Sequence, residues 1–255
     1  LSKQRSGGKV SVSASCFADI LSELAPLSDT ERKALDRLEE RSRTVRRGTT
    51  VQRENEAGNE LFILRKGLMM SYVLLADGSR QILRFFFPGD MLGMPGIIYR
   101  EAPETLCTLS ECMICPFDRS SLSELIFEQP RLGALILIIS QIERVALTDR
   151  LAMLGRTSAK ARVGALLMEM RDRLRATDKS IERSFSPGLT QEEIGDATGL
   201  TSVHVNRMLR QLEEEGMIAR DSGKVTLLDE AALARTANYV NRYENLDLSW
   251  LPEQG

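Results

Sequence analysis

Apolar residues change their spacing several times along this chain. Between residues 17 and 41, leucines and isoleucines recur at the three- and four-residue intervals of an α-helix. From residue 44 to residue 117, short apolar runs alternate with turn residues such as Pro88-Gly89-Asp90. The helical interval returns at Pro130 and continues to about Leu154. The pattern predicts one or two short helices, then a β-rich region, then a long helix.

The β-rich region carries two informative local signals. Asp77-Gly78 separates two runs that contain apolar residues, and this dipeptide tolerates the positive φ of a tight hairpin turn. Phe85, Phe86 and Phe87 are consecutive, as expected of a strand that is buried on both faces. Many short strands separated by turns predict an antiparallel sheet that is rolled or closed on itself.

The long helix is the predicted link between two halves of the molecule. About 24 residues of helix are roughly 36 Å long, which is more than the face of one small sheet covers. The helix therefore either bridges two domains as a core helix or pairs with the same helix of a second copy. The segment that follows favours the second interpretation. The residues predicted to form this seam are Leu132, Leu135, Ile139, Ile142, Ala146 and Met153.

Residues 189–228 predict a helix-turn-helix followed by a hairpin. Thr190 and Glu193 have the spacing of a capping box, which starts a short helix that Gly199 ends. Thr201 then caps a second helix with apolar residues on one side. Two short helices joined by a glycine-containing turn form a helix-turn-helix. The turn residues Asp221-Ser222-Gly223 predict a hairpin after it, in the position of a wing.

The outward residues of the second helix have the chemistry of a DNA-reading surface. Donors and amides occupy its first turns, whereas carboxylates begin only at Glu213. A helix in the major groove presents its N-terminal residues to base edges, and an arginine such as Arg207 can hold guanine with two hydrogen bonds. A solvated amphipathic helix pair has the same periodicity, but the caps, the glycine turn and the hairpin together favour DNA. The predicted DNA-binding residues are Thr190, Thr201, Ser202, His204, Asn206, Arg207 and Arg210.

The composition limits the alternatives. The formal net charge is -2, so a DNA site must be a local cationic face and not a field of the whole molecule. No apolar run approaches the roughly 20 residues that cross a bilayer, and the N-terminus lacks the apolar stretch of a secretion signal. We therefore expect a cytoplasmic protein without a membrane partner. With one histidine, His204, and no nucleophile–base pair, an enzyme is not predicted.

The cysteines raise a competing interpretation, an iron-sulfur sensor or electron carrier. Cys107, Cys112 and Cys115 have the C-x4-C-x2-C spacing of plant-type iron-sulfur proteins, with Cys16 as a fourth ligand. A strand over residues 105–117 would point Cys112 and Cys115 to opposite faces, which argues against a shared cluster. A redox-reactive thiol at Cys16 or Cys107 stays open. So does a regulatory module that acts on a protein partner instead of DNA.

On these motifs the chain resembles the Crp/Fnr superfamily of bacterial transcription regulators, from Phe17 to about Leu228. Besides the helix-turn-helix, the residues that carry the resemblance are Arg47-Gly48, Glu60-Leu61-Phe62-Ile63-Leu64, Lys66-Gly67, Pro88-Gly89-Asp90, Leu92-Gly93 and Leu151-Ala152-Met153-Leu154. The resemblance implies a homodimer that reads an inverted repeat in double-stranded DNA and contacts RNA polymerase. We expect an activator, but the sequence leaves the choice between activator and repressor open. Arg207 matches the fumarate-nitrate branch, whereas Val203 and Asn206 replace its Glu and Ser, so the half-site of that branch does not transfer intact.

The effector pocket that the resemblance implies departs from the cyclic-AMP receptor type. In that type a glutamate binds the ribose and an arginine pairs with the cyclic phosphate, but Met94 and Glu104 stand at these positions. A carboxylate that faces a phosphate is repulsive, so cyclic AMP in the usual mode is not expected. No cofactor is predicted, because the N-terminal cysteine cluster of the oxygen-sensing branch and a haem-binding histidine in this half are both missing from the sequence. The candidate pocket residues are Gly93, Met94, Glu104 and Thr105.

The predicted fold class is α+β, with an antiparallel β-roll sensor domain, a long dimerisation helix and a C-terminal winged helix-turn-helix domain. The tail contains Tyr239, Tyr243 and Trp250, and the sequence leaves open whether it docks on the body or on a partner. The predicted boundaries are 1–16 for a flexible N-terminal arm, 17–130 for the sensor, 131–156 for the dimerisation helix, 157–230 for the DNA-binding domain and 231–255 for the tail.

Overall fold

The computed structural model of the chain describes residues 15–58 and 60–252. Residues 1–14 of the predicted arm lie outside these ranges, whereas Ser15 and Cys16 begin the first helix. The helices are α1 (Cys16–Leu24), α2 (Asp29–Leu38), α3 (Arg119–Glu128), α4 (Pro130–Arg156), α5 (Ala159–Thr177), α6 (Gln191–Thr198), α7 (Ser202–Glu214) and α8 (Glu230–Ala237). The strands are β1 (Arg43–Val45), β2 (Thr50–Gln52), β3 (Glu60–Lys66), β4 (Met69–Leu74), β5 (Arg80–Phe86), β6 (Met91–Leu92), β7 (Thr105–Thr108), β8 (Cys112–Asp118), β9 (Ser184–Phe185), β10 (Ile218–Asp221) and β11 (Lys224–Leu227).

Two four-stranded antiparallel sheets form the sensor half, in the orders β1-β8-β3-β6 and β2-β7-β4-β5. The predicted hairpin turn joins β4 to β5. Gly78 has φ +84°, and the Asp77 carboxylate accepts a hydrogen bond of 2.9 Å from the backbone N–H of Ser79. The α+β fold class and the hairpin are confirmed.

The three consecutive phenylalanines contact two different apolar cores, as predicted for a strand buried on both faces. Phe86 lies between the two sheets, with Phe62 and Leu64. Phe85 and Phe87 point the other way, into a core that the second sheet shares with the C-terminal half of the chain. The β-sheet half and the C-terminal half are therefore in apolar contact across the outer face of β5.

Helix α4 buries its apolar stripe in its own sensor domain. Leu132, Leu135 and Ile142 lie in the core formed with α1, α2, α3 and β8, so their side chains are closed to a second copy. The prediction of these three as seam residues is wrong. A periodic apolar stripe identifies the buried side of a helix, but it does not identify the neighbour that covers that side.

The other three predicted seam residues also face the body of the chain. Ile139 packs against the same sensor core, while Ala146 and Met153 line a cavity beside the C-terminal residues 238–243. The opposite side of α4 is open: Leu137 and Leu151 are 54% and 72% exposed, and Leu147 at its flank is 42% exposed. At alternating spacings of four and three, this open stripe contains Leu137, Gln141, Arg144, Thr148 and Leu151.

The C-terminal half contains the predicted helix-turn-helix and its wing. Strands β10 and β11 pair around the turn at Ser222 and Gly223, both with positive φ, and β9 completes a three-stranded sheet. Helix α8 packs along α5, where Leu233 fits against Gly164. The DNA-binding unit therefore extends past the predicted boundary at residue 230, to Ala237.

The segment after α8 packs against the rest of the same chain. The sequence had left open whether it packs there or on a partner. It contacts α5 through Tyr239 and α4 through Arg242, and its Leu248 and Leu251 pack against the sensor core.

Among the described residues, no single helix has both the length and the apolarity of a membrane span. The pair α3 and α4 meets that test only together, across a bend of 119°.

Candidate functional site

Helices α6 and α7 cross closely because the chain supplies a cap at each start and a glycine at the crossing. The Thr190 hydroxyl accepts a 3.2 Å hydrogen bond from the N–H of Glu193, whose carboxylate accepts one of 2.6 Å from the N–H of Thr190. The predicted capping box is thus confirmed. Helix α6 ends at Gly199 in the left-handed conformation. A Cβ at Gly195 would collide with the backbone carbonyl oxygen of Leu200, so only glycine permits this approach.

Helix α7 has one buried side and one open side. Its cap is Thr201, whose hydroxyl accepts a 3.3 Å hydrogen bond from the N–H of His204. The buried side packs against α5 and α6. It consists of Val205, Met208, Leu209 and Leu212, all of them in the core of the C-terminal half.

The open side of α7 presents most of the predicted DNA-binding residues. Ser202, Arg207 and Arg210 are exposed, and His204 and Asn206 are half-buried at its edges. The guanidinium of Arg207 lies 2.8 Å from the Nε2 atom of His204. Because a guanidinium only donates hydrogen bonds, Nε2 must accept this one, and the ring holds Arg207 against the helix surface.

Two of the three glutamates at the acidic end of α7 are paired with neighbouring cations. Arg220 of β10 pairs with Glu213 at 2.6 Å, and this hydrogen bond lowers the pKa of the Glu213 carboxyl. Lys160 of α5 pairs with Glu215 at 2.7 Å. The wing adds the exposed Lys224 next to its turn. Sequence reasoning missed Arg220 and Lys224, although basic residues on both sides of a predicted wing turn are a signal that it could have used.

The four candidate pocket residues lie at two places near β2: Gly93 and Met94 follow β6, and Glu104 and Thr105 lie at the start of β7. Gly93, with φ +74°, begins a 3₁₀ helix that contains Met94, and its nearest side-chain neighbour is Gln52. Thr105 is buried, and its hydroxyl accepts a 3.0 Å hydrogen bond from the backbone N–H of Glu54. Glu104 is half-buried next to it. The cavities described below, which border α4, α5 and the C-terminal segment, are lined by none of these four residues.

The three clustered cysteines lie in three separate cores. Cys107 faces the C-terminal half, Cys112 lies between the two sheets, and Cys115 lies beneath the N-terminal helices. The predicted opposite orientation of Cys112 and Cys115 is confirmed. In residues 15–58 and 60–252, no three His, Cys, Asp or Glu side chains form a group that could hold a metal ion.

Burial also makes the candidate redox thiols poor nucleophiles. Burial, helped by the negative charge of Glu39, raises the pKa of the Cys16 thiol to about 12. Burial raises the pKa of Cys107 as well. The reactive form of a cysteine is the thiolate, so both side chains are in their unreactive form near neutral pH.

Comparison with known protein families divides the chain at the same place as the structure does. Residues 42–129 match the cyclic nucleotide-binding domain, and residues 161–236 match the Crp-like helix-turn-helix domain. The second match ends at α8, close to the end of the C-terminal unit.

Relatives match over most of the chain. The nitrogen fixation regulation protein FixK of Bradyrhizobium diazoefficiens is 32% identical over 190 residues, which are 74% of this chain and 79% of the relative. The fumarate and nitrate reduction regulatory protein of Escherichia coli is 26% identical over 218 residues, 84% of this chain and 85% of the relative. The solved structure of FixK2 from Bradyrhizobium japonicum, 25% identical, superposes with a TM-score of 0.69 over 77% of this chain and 96% of that one. On the two domains and on these relatives, the chain belongs to the Crp/Fnr superfamily of DNA-binding transcription regulators.

Proposed function

We propose that this regulator binds double-stranded DNA as a homodimer, with α7 of each copy in the major groove of one half of an inverted repeat. The observation that carries the proposal is the open side of α7. It exposes hydrogen-bonding and cationic side chains over its first turns, while its carboxylates lie at the far end, where Glu213 and Glu215 are paired with cations. Half-sites in such complexes lie about one helical turn apart, roughly 10 base pairs between centres.

Each predicted residue has a role in this arrangement. Arg207 holds a guanine edge, and Ser202, His204 and Asn206 reach bases or phosphates. Thr190 and Thr201 stand at helix N-termini, where backbone N–H groups and hydroxyls bind phosphate. Arg210 and the wing residue Lys224 neutralise the DNA backbone. The chain needs no overall positive charge for this, since a few cations at the contact surface act locally.

The dimer contact that we propose is the open stripe of α4, which replaces the seam predicted from the sequence. Leu137 and Leu151 lie near its two ends, and Gln141, Arg144 and Thr148 lie between them. The four-three spacing is that of a two-stranded coiled coil. Polar residues in the middle of such a seam fix its register at some cost in stability.

The relatives support the regulatory part of the proposal, because their names describe control of nitrogen fixation and of fumarate and nitrate reduction. Contact with RNA polymerase, activation of transcription and a cytoplasmic location are parts of the same proposal. We also propose that cyclic AMP in the usual mode is not the effector, since Glu104 would face its phosphate. Transcription in a purified system with RNA polymerase, with and without cyclic AMP, measures each of these points except location.

Selection of bound duplexes from a random pool tests the central claim. The purified chain should enrich an inverted repeat, and the affinity should fall steeply with salt because phosphate contacts release counterions. Replacing Arg207 by alanine should weaken binding to the selected site by about 1–3 kcal/mol, the cost of one lost bidentate base contact. Arg235→Ala is the matched control, because Arg235 is an exposed arginine of the same half, on α8. Equal affinities of the two variants would exclude Arg207 as a base-reading residue.

A further inference from the structure

The C-terminal segment, residues 238–252, runs along α4 from the DNA-binding unit to the sensor. It leaves α8 at Asn238, and Tyr239 donates a 3.0 Å hydrogen bond from its hydroxyl to Asp172 of α5. Arg242 then pairs with both carboxylate oxygens of Asp149, at 2.6 and 3.0 Å. At its far end the carbonyl oxygen of Pro252 accepts a 2.8 Å hydrogen bond from Nε of Arg131. Asp149 and Arg131 lie about 27 Å apart along α4 at 1.5 Å per residue, so the segment spans most of that helix.

The same segment completes an aromatic sandwich at the junction of the two halves. Arg173 of α5 projects onto the sensor, where it pairs with Asp90 and lies 5.1 Å from the ring centre of Phe87. The ring of Tyr243 covers the guanidinium at 4.6 Å. Burial at this place raises the pKa of Tyr243 to about 12. A guanidinium between two aromatic faces and a carboxylate is held in one orientation, and one of its three contacts comes from the C-terminal segment.

Much of the contact between the two halves lies at the outer face of β5, where Phe85 and Phe87 share an apolar core with α5 and α7. On one side α6 packs on β5, where Asp196 pairs with Arg80 at 2.6 Å and its carbonyl oxygen accepts a 2.8 Å hydrogen bond from Gln81. On the other side, α1, α4 and α5 border a cavity of about 560 Å³. Tyr243 and its neighbours Asn241 and Glu244 form a wall of this cavity. The segment therefore adds a further bridge on this side, beside the ion pairs Lys179–Glu23 at 3.1 Å and Arg150–Glu169 at 2.6 Å.

We propose that residues 239–252 act as an intramolecular clamp that fixes the angle of the DNA-binding unit relative to α4. This inference rests on the proposed function. Because α4 carries the proposed dimer contact, the clamp sets the distance and orientation between the two α7 helices of a dimer. A second half-site is then bound at a high effective concentration only when its spacing matches the fixed geometry. Release of the clamp leaves each α7 intact but lets it move relative to its twin.

The test compares clamp variants of the full chain on a panel of DNA duplexes. The panel contains the inverted repeat selected by the wild-type chain, its single half-site, and repeats with the spacing changed by one or two base pairs. The first variant is Leu248→Ala with Leu251→Ala, which removes the two apolar contacts with the sensor core. The second is Tyr243→Leu, which keeps apolar bulk but removes the stack on Arg173. The matched control is Trp250→Ala, since Trp250 lies in the same segment but is 57% exposed.

Both clamp variants should bind the selected repeat roughly tenfold more weakly than the wild type, because the effective concentration of the second site falls. Their preference for the correct spacing should shrink by a similar factor, while their half-site affinity and the behaviour of Trp250→Ala stay at the wild-type level. An equal loss on the half-site would assign the segment a purely stabilising role and overturn the clamp. Unchanged spacing preference, or tighter binding to the repeat, would overturn it as well. A wild-type chain that enriches no duplex refutes the proposed function itself, which is a different result.

Discussion

The two helices on which the proposed function depends differ in how many surfaces cover them. Helix α7 packs on α5 and α6 along one side and is open along the other. Helix α4 has four kinds of neighbour: the sensor core at Leu135, the strand β5 through the Glu143–Arg84 ion pair, helix α5 through the Arg150–Glu169 ion pair, and the C-terminal segment at Asp149. When one side of a helix is covered, the spacing of its apolar residues also identifies the open side that is free to bind a partner. When several sides are covered, the spacing does not identify the open side, because each neighbour packs against a different set of side chains.

Truncating one leucine on each side of α4 should have the largest effect. Leu135→Ala should lower the free energy of unfolding by about 2–5 kcal/mol, since it leaves a cavity in the sensor core. Leu151→Ala should change it by less than about 0.5 kcal/mol, as expected of a surface position. Urea unfolding at a protein concentration below that of dimer formation measures both. Similar losses would mean that the two sides of α4 are not distinct.

Alanine substitutions at two glycines, one at the crossing of α6 and α7 and one on the open surface of α4, compare a crowded position with an open one. Gly195→Ala should destabilise the C-terminal half by about 1–3 kcal/mol or more, because the new methyl group meets the backbone carbonyl of Leu200. Gly155→Ala in α4 meets nothing within 4 Å and should stabilise the helix by roughly 0.5–1 kcal/mol. Thermal unfolding of the two variants should thus shift in opposite directions. A harmless Gly195→Ala would contradict the close crossing of α6 and α7.

The open side of α4 can be tested by placing a charge on it. Leu137→Glu and Leu151→Glu should each weaken dimerisation at least tenfold, or about 1.4 kcal/mol, because a carboxylate would be buried in the seam without a partner. Leu228→Glu is the control, as Leu228 is 51% exposed elsewhere on the surface. Sedimentation velocity over a range of concentrations reports the change. Dimers that tolerate both glutamates would place the contact between copies on another surface.

The smallest expected effect concerns the helix that covers the start of α4. Asp118 caps α3, and its carboxylate accepts hydrogen bonds from the Ser120 hydroxyl at 2.6 Å and from the N–H of Ser121 at 2.9 Å. These bonds lower its pKa to about 2, from 3.8. The carboxylate therefore stabilises the folded state fully above pH 3.8, and the contribution is lost as the pH falls toward 2. The stability difference between wild type and Asp118→Ala should shrink over that interval and be constant near pH 7, as measured by urea unfolding at each pH.

The sequence predicted those features that depend on neighbours along the chain. The capping residues Thr190 and Thr201 act on N–H groups three residues away, and the Asp77-Gly78 turn joins adjacent strands. The recognition side of α7 was predictable for the same reason, since α6 is the next helix and α5 shortly precedes it. Local chemistry was enough in each case.

The features that the sequence did not predict depend on distant partners. Arg242 meets Asp149 at a separation of 93 residues, and Arg131 meets Pro252 at a separation of 121. The apolar stripe of α4 was recognised, but whether the sensor or a second copy covers it is a question of tertiary packing. No local pattern distinguishes those two neighbours, so the predicted seam fell on the wrong side of the helix.

The apolar core at the outer face of β5 has a consequence for how the molecule can be divided. Phe85 and Phe87 of the sensor lie in one continuous interior with Val163 and Leu212 of the C-terminal half. An excised fragment of either half would expose apolar surface that the intact chain hides, and would be prone to aggregate. Melting of one half removes packing from the other, so heat should unfold the two as a single cooperative unit. The boundary between the two halves separates two functions, but the halves do not unfold independently across it.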